Sequence, residues 1–224
     1  MQILLDLKAT KILARTLSSL LLIPVILCAV CAGGLFYQLL ILTISIIMLY
    51  EWRCIITHRA EVSISRWQTL GMLYVLSFAL SMLFLRHAHD GYYITLWLFL
   101  TVWATDIFSY LVGTAIKGPK IAPKISPNKT WSGLLGGIAA ATIVGVIFYK
   151  QYARSLSYFD YVLFINPLIA IVSTLGDLLE SKFKRYFGVK DSGNLIPGHG
   201  GVLDKVDGLV TSSMLVVLIV YLRG

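Results

Sequence analysis

The chain has 224 residues, 58% of them hydrophobic and only 13% charged, with a mean hydropathy of +0.81. That balance excludes an ordinary soluble domain, in which about a quarter of residues are charged. The net charge of +8 would suggest nucleic acid in a soluble protein. Here the basic residues fall in loops between apolar runs, so they point to membrane orientation, anionic headgroups and an anionic substrate, with no nucleic-acid partner expected.

Several mostly apolar runs follow one another, each long enough to cross a hydrocarbon core of about 30 Å as a helix. A closed barrel would need alternating strands of roughly ten residues, which these runs do not resemble. The expected fold is therefore all-α, a polytopic membrane bundle of about seven helices. Residues 1–13 mix apolar side chains with Lys8 and Lys11, as an interfacial helix does. The first span is expected from about Ala14 to Ala32; it is long for a signal peptide and no A-x-A site follows. Cys28 and Cys31 form a C-x-x-C within it, with no second pair to complete a zinc site, and read as small buried side chains.

Gly33-Gly34 turns the chain into a second span, Leu35 to Trp52. The basic loop with Arg53, His58, Arg59 and Arg66 leads to a third, Trp67 to Leu85, and RHAHDG leads to a fourth, Tyr92 to Ala115. The fifth, sixth and seventh spans are expected at Gly133–Tyr149, Tyr161–Leu179 and Gly208–Leu222. The basic segments (the N-terminus and the loops 53–66, 117–129 and 182–205) fall on one side if the N-terminus is cytoplasmic, as the positive-inside rule requires. The chain then divides into N-terminal membrane helices, 1–90, and a catalytic membrane region, 91–224, with cytoplasmic-facing loops 116–132 and 180–207.

This orientation places Asp106 about fourteen residues into a descending helix, roughly 21 Å down. A bare carboxylate there costs at least about 2.5–3.5 kcal/mol, so it needs a partner or a job. Asp177 and Glu180 end the sixth span on that side, and Asp204 and Asp207 begin the seventh. Asp177, Glu180, Ser181 and Lys184 stand at i, i+3, i+4 and i+7, one face of a helix that continues past the membrane edge. Carboxylates grouped with a hydroxyl are hard oxygen ligands suited to Mg²⁺, which takes its other ligands from substrate phosphates and water. Asp204 and Asp207 can equally cap the seventh helix and favour its dipole.

His199, between glycines, either contacts a phosphate or stabilises the turn; Gly198, Gly200 and Gly201 allow close backbone approach to a ligand. The loop from Lys117 to Thr130 carries Lys117, Lys120, Lys124 and Lys129 and is stiffened by Pro119, Pro123 and Pro127. It reads either as a polybasic lipid-binding patch or, through Ser126, Lys129 and Thr130 before the fifth span, as a phosphate site near a helix N-terminus. There is no Walker A motif, because Pro119 occupies the lysine position relative to Gly113 and Gly118.

Ser181-x-x-Lys184-Arg185-x4-Lys190-Asp191, followed by Pro197-x-His199-Gly200-Gly201-x-x-Asp204-x-x-Asp207, resembles the C-terminal signature of the phosphatidate cytidylyltransferases, or CDP-diacylglycerol synthases. Ser126-Pro127-x-Lys129-Thr130 and Asp106-x3-Tyr110-x2-Gly113 resemble two further motifs of that family, so the likeness covers about half the chain. Lys205 stands where the family usually has Arg, keeping the charge but losing the bidentate fork. Ser132 stands where Glu is expected, and the chain looks shorter than many members, by an N-terminal span or two.

The resemblance implies transfer of a cytidylyl group from CTP to phosphatidic acid, giving CDP-diacylglycerol and pyrophosphate at the cytoplasmic face of a bacterial inner membrane. It implies Asp177 and Asp204 as main ligands of Mg²⁺, with Asp207 and Asp106 in or near the shell and room for a second ion, divalent or monovalent. Lys184, Arg185, Lys190 and Lys129 would clamp phosphates, assisted by Ser126 and Thr130. Ser181, Asp191, His199, Gly200, Gly201 and Lys205 complete the expected substrate site. The expected partners are CTP, phosphatidic acid and membrane lipids; a homodimer is compatible with the sequence, which does not set the oligomeric state. A CTP-dependent lipid kinase is a second enzyme reading. An ion-coupled transporter is a reading of another class, but the polar residues crowd one face rather than the midplane. A lipid-binding scaffold would need the basic loops but no acidic cluster.

Overall fold

The computed structural model describes residues 18, 20–59, 62–152, 162–198 and 200–222. Seven helices are present among them: α1 (Leu20–Ala32), α2 (Gly34–Ile56), α3 (Ile64–His87), α4 (Gly91–Ile116), α5 (Trp131–Tyr152), α6 (Val162–Tyr186) and α7 (Leu203–Tyr221). The helices α2 to α6 are long and apolar enough to cross a membrane. The described part of α1 is shorter, and the interfacial segment 1–13 lies outside the described residues. In α7 the first turns carry Asp204, Lys205 and Asp207, and the apolar part begins at Gly208. The all-α bundle is as expected.

Two expectations are corrected. The 117–130 stretch is not a plain loop: β1 (Lys120–Ala122) and β2 (Ser126–Thr130) pair antiparallel, with Lys120 opposite Thr130 and Ala122 opposite Ser126. The turn closes through the N–H of Ile125 donating to the Ala122 carbonyl at 3.1 Å. Pro127 is tolerated because each strand of a two-stranded ribbon has a free edge. In addition, Cys28 and Cys31 are exposed on α1 rather than buried. Helix α1 turns Val30 into the core and leaves both thiols outside it, with Cys31 Sγ 3.8 Å from the Tyr92 hydroxyl.

The core forms where α2, α3, α4 and α7 face inward, with Tyr37, Ile41, Met48, Phe78, Met82 and Leu98 essentially inaccessible. The most extensive helix contact joins α4 and α5. There Gly133, Gly136 and Gly137 lie against Ser109 and Val112, the small-residue packing that stands in for a hydrophobic driving force inside lipid. A polar node crosses this region. The Asn166 amide in α6 donates to the Ala141 carbonyl at 2.5 Å and to Thr101 Oγ1 at 3.3 Å, and its Oδ1 accepts the Trp97 indole N–H at 3.0 Å.

Asn166 is fully buried, so its partners have no water to turn to. Replacing it with Ala is expected to cost about 1–3 kcal/mol. Thermal unfolding in detergent tests this, and an unchanged midpoint would show that the node holds nothing.

The last turns of α6 extend beyond the expected end of the sixth span because an aromatic cluster receives them. Phe183 stacks on Trp52 with centroids 4.0 Å apart, and Phe187 meets Trp67 edge-on at 5.0 Å. The Trp52 indole N–H donates to the Trp67 carbonyl at 2.8 Å, and the Arg59 guanidinium lies 4.7 Å from the Tyr186 ring centre. Such contacts are worth roughly 0.5–1.5 kcal/mol each beyond the area buried. They fix the polar end of α6 against α2 and the first turn of α3.

Candidate active site

A cavity of about 310 Å³ opens between α4, α5, α6, α7 and the hairpin. It is lined by Asp106 and Ser109 from α4, Ser126, Lys129 and Thr130 from β2, Thr174 and Asp177 from α6, and Asp204, Lys205 and Asp207 from α7. Residues about a hundred positions apart in sequence meet here because α6 and α7 pack along their length and α4 packs on both. All four carboxylates expected as metal ligands are present. Among the described residues, no group of three His, Cys, Asp or Glu side chains is gathered tightly enough to hold an ion unaided.

The hairpin is tied down at both ends. The Lys129 ammonium pairs with Asp177 Oδ2 and donates to the Thr174 carbonyl at 3.3 Å, fixing β2 to α6. Thr130 Oγ1 accepts the Gly133 N–H at 3.1 Å, an N-cap bond for α5, and shares a bond with the Ser132 hydroxyl at 3.0 Å. Ser132 Oγ donates to the Lys117 carbonyl. The glutamate that the resemblance would have placed here could not make that contact when ionised, because it has no proton to give. Thr130 is buried and serves the hairpin as well as the cavity.

Asp204 is the most heavily bonded acid of the site. Its Oδ1 accepts the Lys184 ammonium at 2.5 Å, and its Oδ2 accepts the N–H groups of Ser192 at 3.0 Å and Gly201 at 2.9 Å. Burial raises the Asp204 carboxyl, but the Lys184 ammonium and these two N–H groups outweigh it and hold it below the usual carboxylate range. Lys184 also pairs with Glu180 at 2.5 Å, one turn back on α6. Glu180, Lys184 and Asp204 form a buried triad joining α6 to α7.

Asp207 is buried and its Oδ1 accepts the Gly208 N–H at 2.8 Å. Asp106 stands open to the cavity, and among the described residues no ion pair reaches it or Asp207. Ser181 Oγ donates to Asp177 Oδ1 at 3.3 Å.

The remaining expected site residues lie elsewhere. Lys184 is turned into the triad rather than lining the cavity. The Arg185 guanidinium donates to the carbonyls of Val189 at 3.0 Å and Ile125 at 3.4 Å, bracing the hairpin turn against the end of α6. Lys190 and Asp191 are exposed and do not line the cavity. His199 lies outside the described residues. Gly200 has φ +97° and sits where a Cβ would come within 2.6 Å of Asp204 Oδ2, so it serves the close approach of this loop to Asp204.

Glu51 escaped the sequence reading. It is 1% exposed and accepts three hydrogen bonds from residues 192–203. The only signal available was an acid near the end of an otherwise apolar span.

Comparison with known proteins places the chain in a family. The cytidylyltransferase family matches residues 57–223, which contain every residue lining the cavity. Phosphatidate cytidylyltransferases of Brucella abortus (strain 2308) and Brucella suis are each 48% identical over 153 residues, 68% of this chain and 56% of theirs. That of Rickettsia conorii is 34% identical over 220 residues, 95% of this chain and 93% of its own, and that of Rickettsia bellii 37% over 215, covering 93% and 90%. The chain thus spans little more than half the length of the Brucella relatives and most of the Rickettsia ones. By this extent of match, the chain belongs to the cytidylyltransferase family.

Proposed function

We propose that this protein transfers a cytidylyl group from CTP to phosphatidic acid, releasing pyrophosphate and forming CDP-diacylglycerol for phospholipid synthesis. The observation that carries the reading is the single cavity in which Asp106, Asp177, Asp204 and Asp207 face Lys129, Lys205 and the hydroxyls of Ser126 and Thr130. The lipid phosphate is already anionic, so it needs no strong base to attack the α-phosphorus of CTP. The obstacle is bringing two polyanions together. Lys129 and Lys205 offset part of that charge, and the hydroxyls donate to phosphate oxygens as the α-phosphorus is approached in line.

The donor set fits Mg²⁺ in the way that ion is usually held. One or two carboxylates with substrate phosphates and water complete its shell, so a tight three-residue cluster is not required. Asp177 and Asp204 would be its main ligands, with Asp207 and Asp106 near. When bound, the ion would screen the two phosphates and polarise the reacting one. Lys129, which holds Asp177 now, is placed to exchange that carboxylate for a substrate phosphate. The cavity would face the cytoplasm of a bacterial inner membrane, where the basic loops lie under the positive-inside rule.

The test uses purified protein, phosphatidic acid, each of the four nucleoside triphosphates, and Mg²⁺ or EDTA. Label from the α-position of CTP should enter the lipid, while label from the γ-position should leave in pyrophosphate, with little transfer from the other nucleotides or in EDTA. Transfer of the γ-label to lipid would replace this reading with a kinase.

A further inference from the structure

Glu51 is the one acidic residue of α1, α2 and α3. It lies before residue 57, where the family match begins, and does not line the site cavity. Its Oε1 accepts the Val202 N–H at 2.9 Å, and its Oε2 accepts the Leu203 N–H at 2.8 Å and the Ser192 hydroxyl at 3.0 Å. Val202 and Leu203 are the N-cap and first residue of α7, which has no side-chain cap of its own. A helix start leaves N–H groups without intrahelical partners, and a carboxylate there satisfies them and complements the helix dipole. Here that carboxylate comes from another helix.

The same loop is held from its other side by Asp204. Ser192 gives its backbone N–H to Asp204 and its hydroxyl to Glu51. Gly201 lies between the two acids and donates its N–H to Asp204. A Cβ at Gly201 would come within 2.5 Å of Glu51 Oε2 and 2.0 Å of Ser192 Oγ. Ser192 and Gly201 are thus clamped between α2 and the start of α7, whose first two turns carry Asp204, Lys205 and Asp207 into the cavity.

We propose that Glu51 is a positioning residue for the transfer site, acting through the start of α7 to set how Asp204, Lys205 and Asp207 face the cavity. This rests on the cytidylyl-transfer reading above. Groups that orient a site without touching substrate typically change activity by about 10–100-fold.

The experiment compares full-length wild type with Glu51→Ala, Glu51→Gln and Ser192→Ala in detergent. It reads amide hydrogen exchange along the chain together with kcat and KM for CTP. Glu51→Ala should speed exchange at Val202 and Leu203 by about tenfold or more, because bonds to a charged acceptor are lost. Exchange in α4 and α5 should stay within about twofold of wild type, as expected of a local opening.

In the same variant kcat should fall about tenfold or more while KM for CTP changes little. Glu51→Gln keeps one acceptor oxygen and should lie between, and Ser192→Ala, losing one bond of three, should show the smallest effect in the same direction. Unchanged exchange at 202–203, an equal rise in α4 and α5, or faster local exchange with wild-type kcat would each overturn the proposal. If Glu51→Ala does not fold, the two milder variants decide by the same criteria. Absence of transfer by wild type would instead refute the transfer reading, while a local exchange response would still support the clamp.

Discussion

Asp177→Asn should lower CTP-dependent turnover by at least about 100-fold, since even outer-shell partners of a metal commonly contribute 10–100-fold. The substitution keeps size and shape and removes only the charge that Lys129 pairs with and that the proposed cation would use. Asp177 is partly exposed to the cavity and, among the described residues, its bonds are to Lys129 and Ser181. The fold therefore loses one ion pair whose side chains are 21% and 37% exposed, while Lys129 keeps its bond to the Thr174 carbonyl, a loss of about 1 kcal/mol. Activity should collapse while the thermal midpoint barely moves. Turnover within threefold of wild type would remove Asp177 from the chemistry.

Asp204→Asn is the less clean experiment, although the sequence presents the two acids as equivalents. Asp204 anchors Lys184 and the N–H groups of Ser192 and Gly201. Its loss should therefore lower stability and activity together. Measuring both variants in parallel separates a carboxylate that acts on substrate from one that also holds the loop.

The spans were legible because continuous apolar runs of this length have few alternatives. The expected limits of the fourth span, Tyr92 to Ala115, fall one residue inside each end of α4 (Gly91–Ile116). The meeting of Asp106, Asp177, Asp204 and Asp207 followed from counting spans, since the first two lie in the C-terminal halves of α4 and α6 and the others at the start of α7, the antiparallel neighbour of α6. The hairpin was not legible. Its strands, Lys-Ile-Ala and Ser-Pro-Asn-Lys-Thr, are short and carry turn formers in Ser126, Pro127 and Asn128, and the hairpin is held at its ends by bonds to Pro119 and Thr174.

The roles of Lys184 and Arg185 were hidden for a related reason. A basic residue beside a phosphate site reads as a clamp, and nothing local reveals that its partner is an acid twenty positions on or a carbonyl of the hairpin. Glu51 was harder still, because two of its three partners are backbone N–H groups, which carry no sequence signature.

Lys184→Met separates the two roles available to that lysine. As a phosphate clamp it would leave the fold intact on removal and raise KM for CTP. In the structure its ammonium lies between Glu180 and Asp204, with side-chain exposures of 9%, 2% and 10% for Lys184, Glu180 and Asp204. Methionine fills the space but leaves two buried carboxylates facing each other without a cation. Removing one partner of a buried pair typically costs about 3–5 kcal/mol, a large share of a marginal stability.

The expected result is a strongly lowered thermal midpoint and poor recovery of folded protein. Adding Glu180→Gln to Lys184→Met should restore part of the loss, because Asp204 keeps its bonds from Ser192 and Gly201 while its repelling neighbour becomes neutral. That rescue is specific to the triad, since a lysine serving only substrate would gain nothing from neutralising Glu180. A stable Lys184→Met protein with a raised KM for CTP would return Lys184 to the phosphate-binding role and show that the triad contributes little to joining α6 and α7.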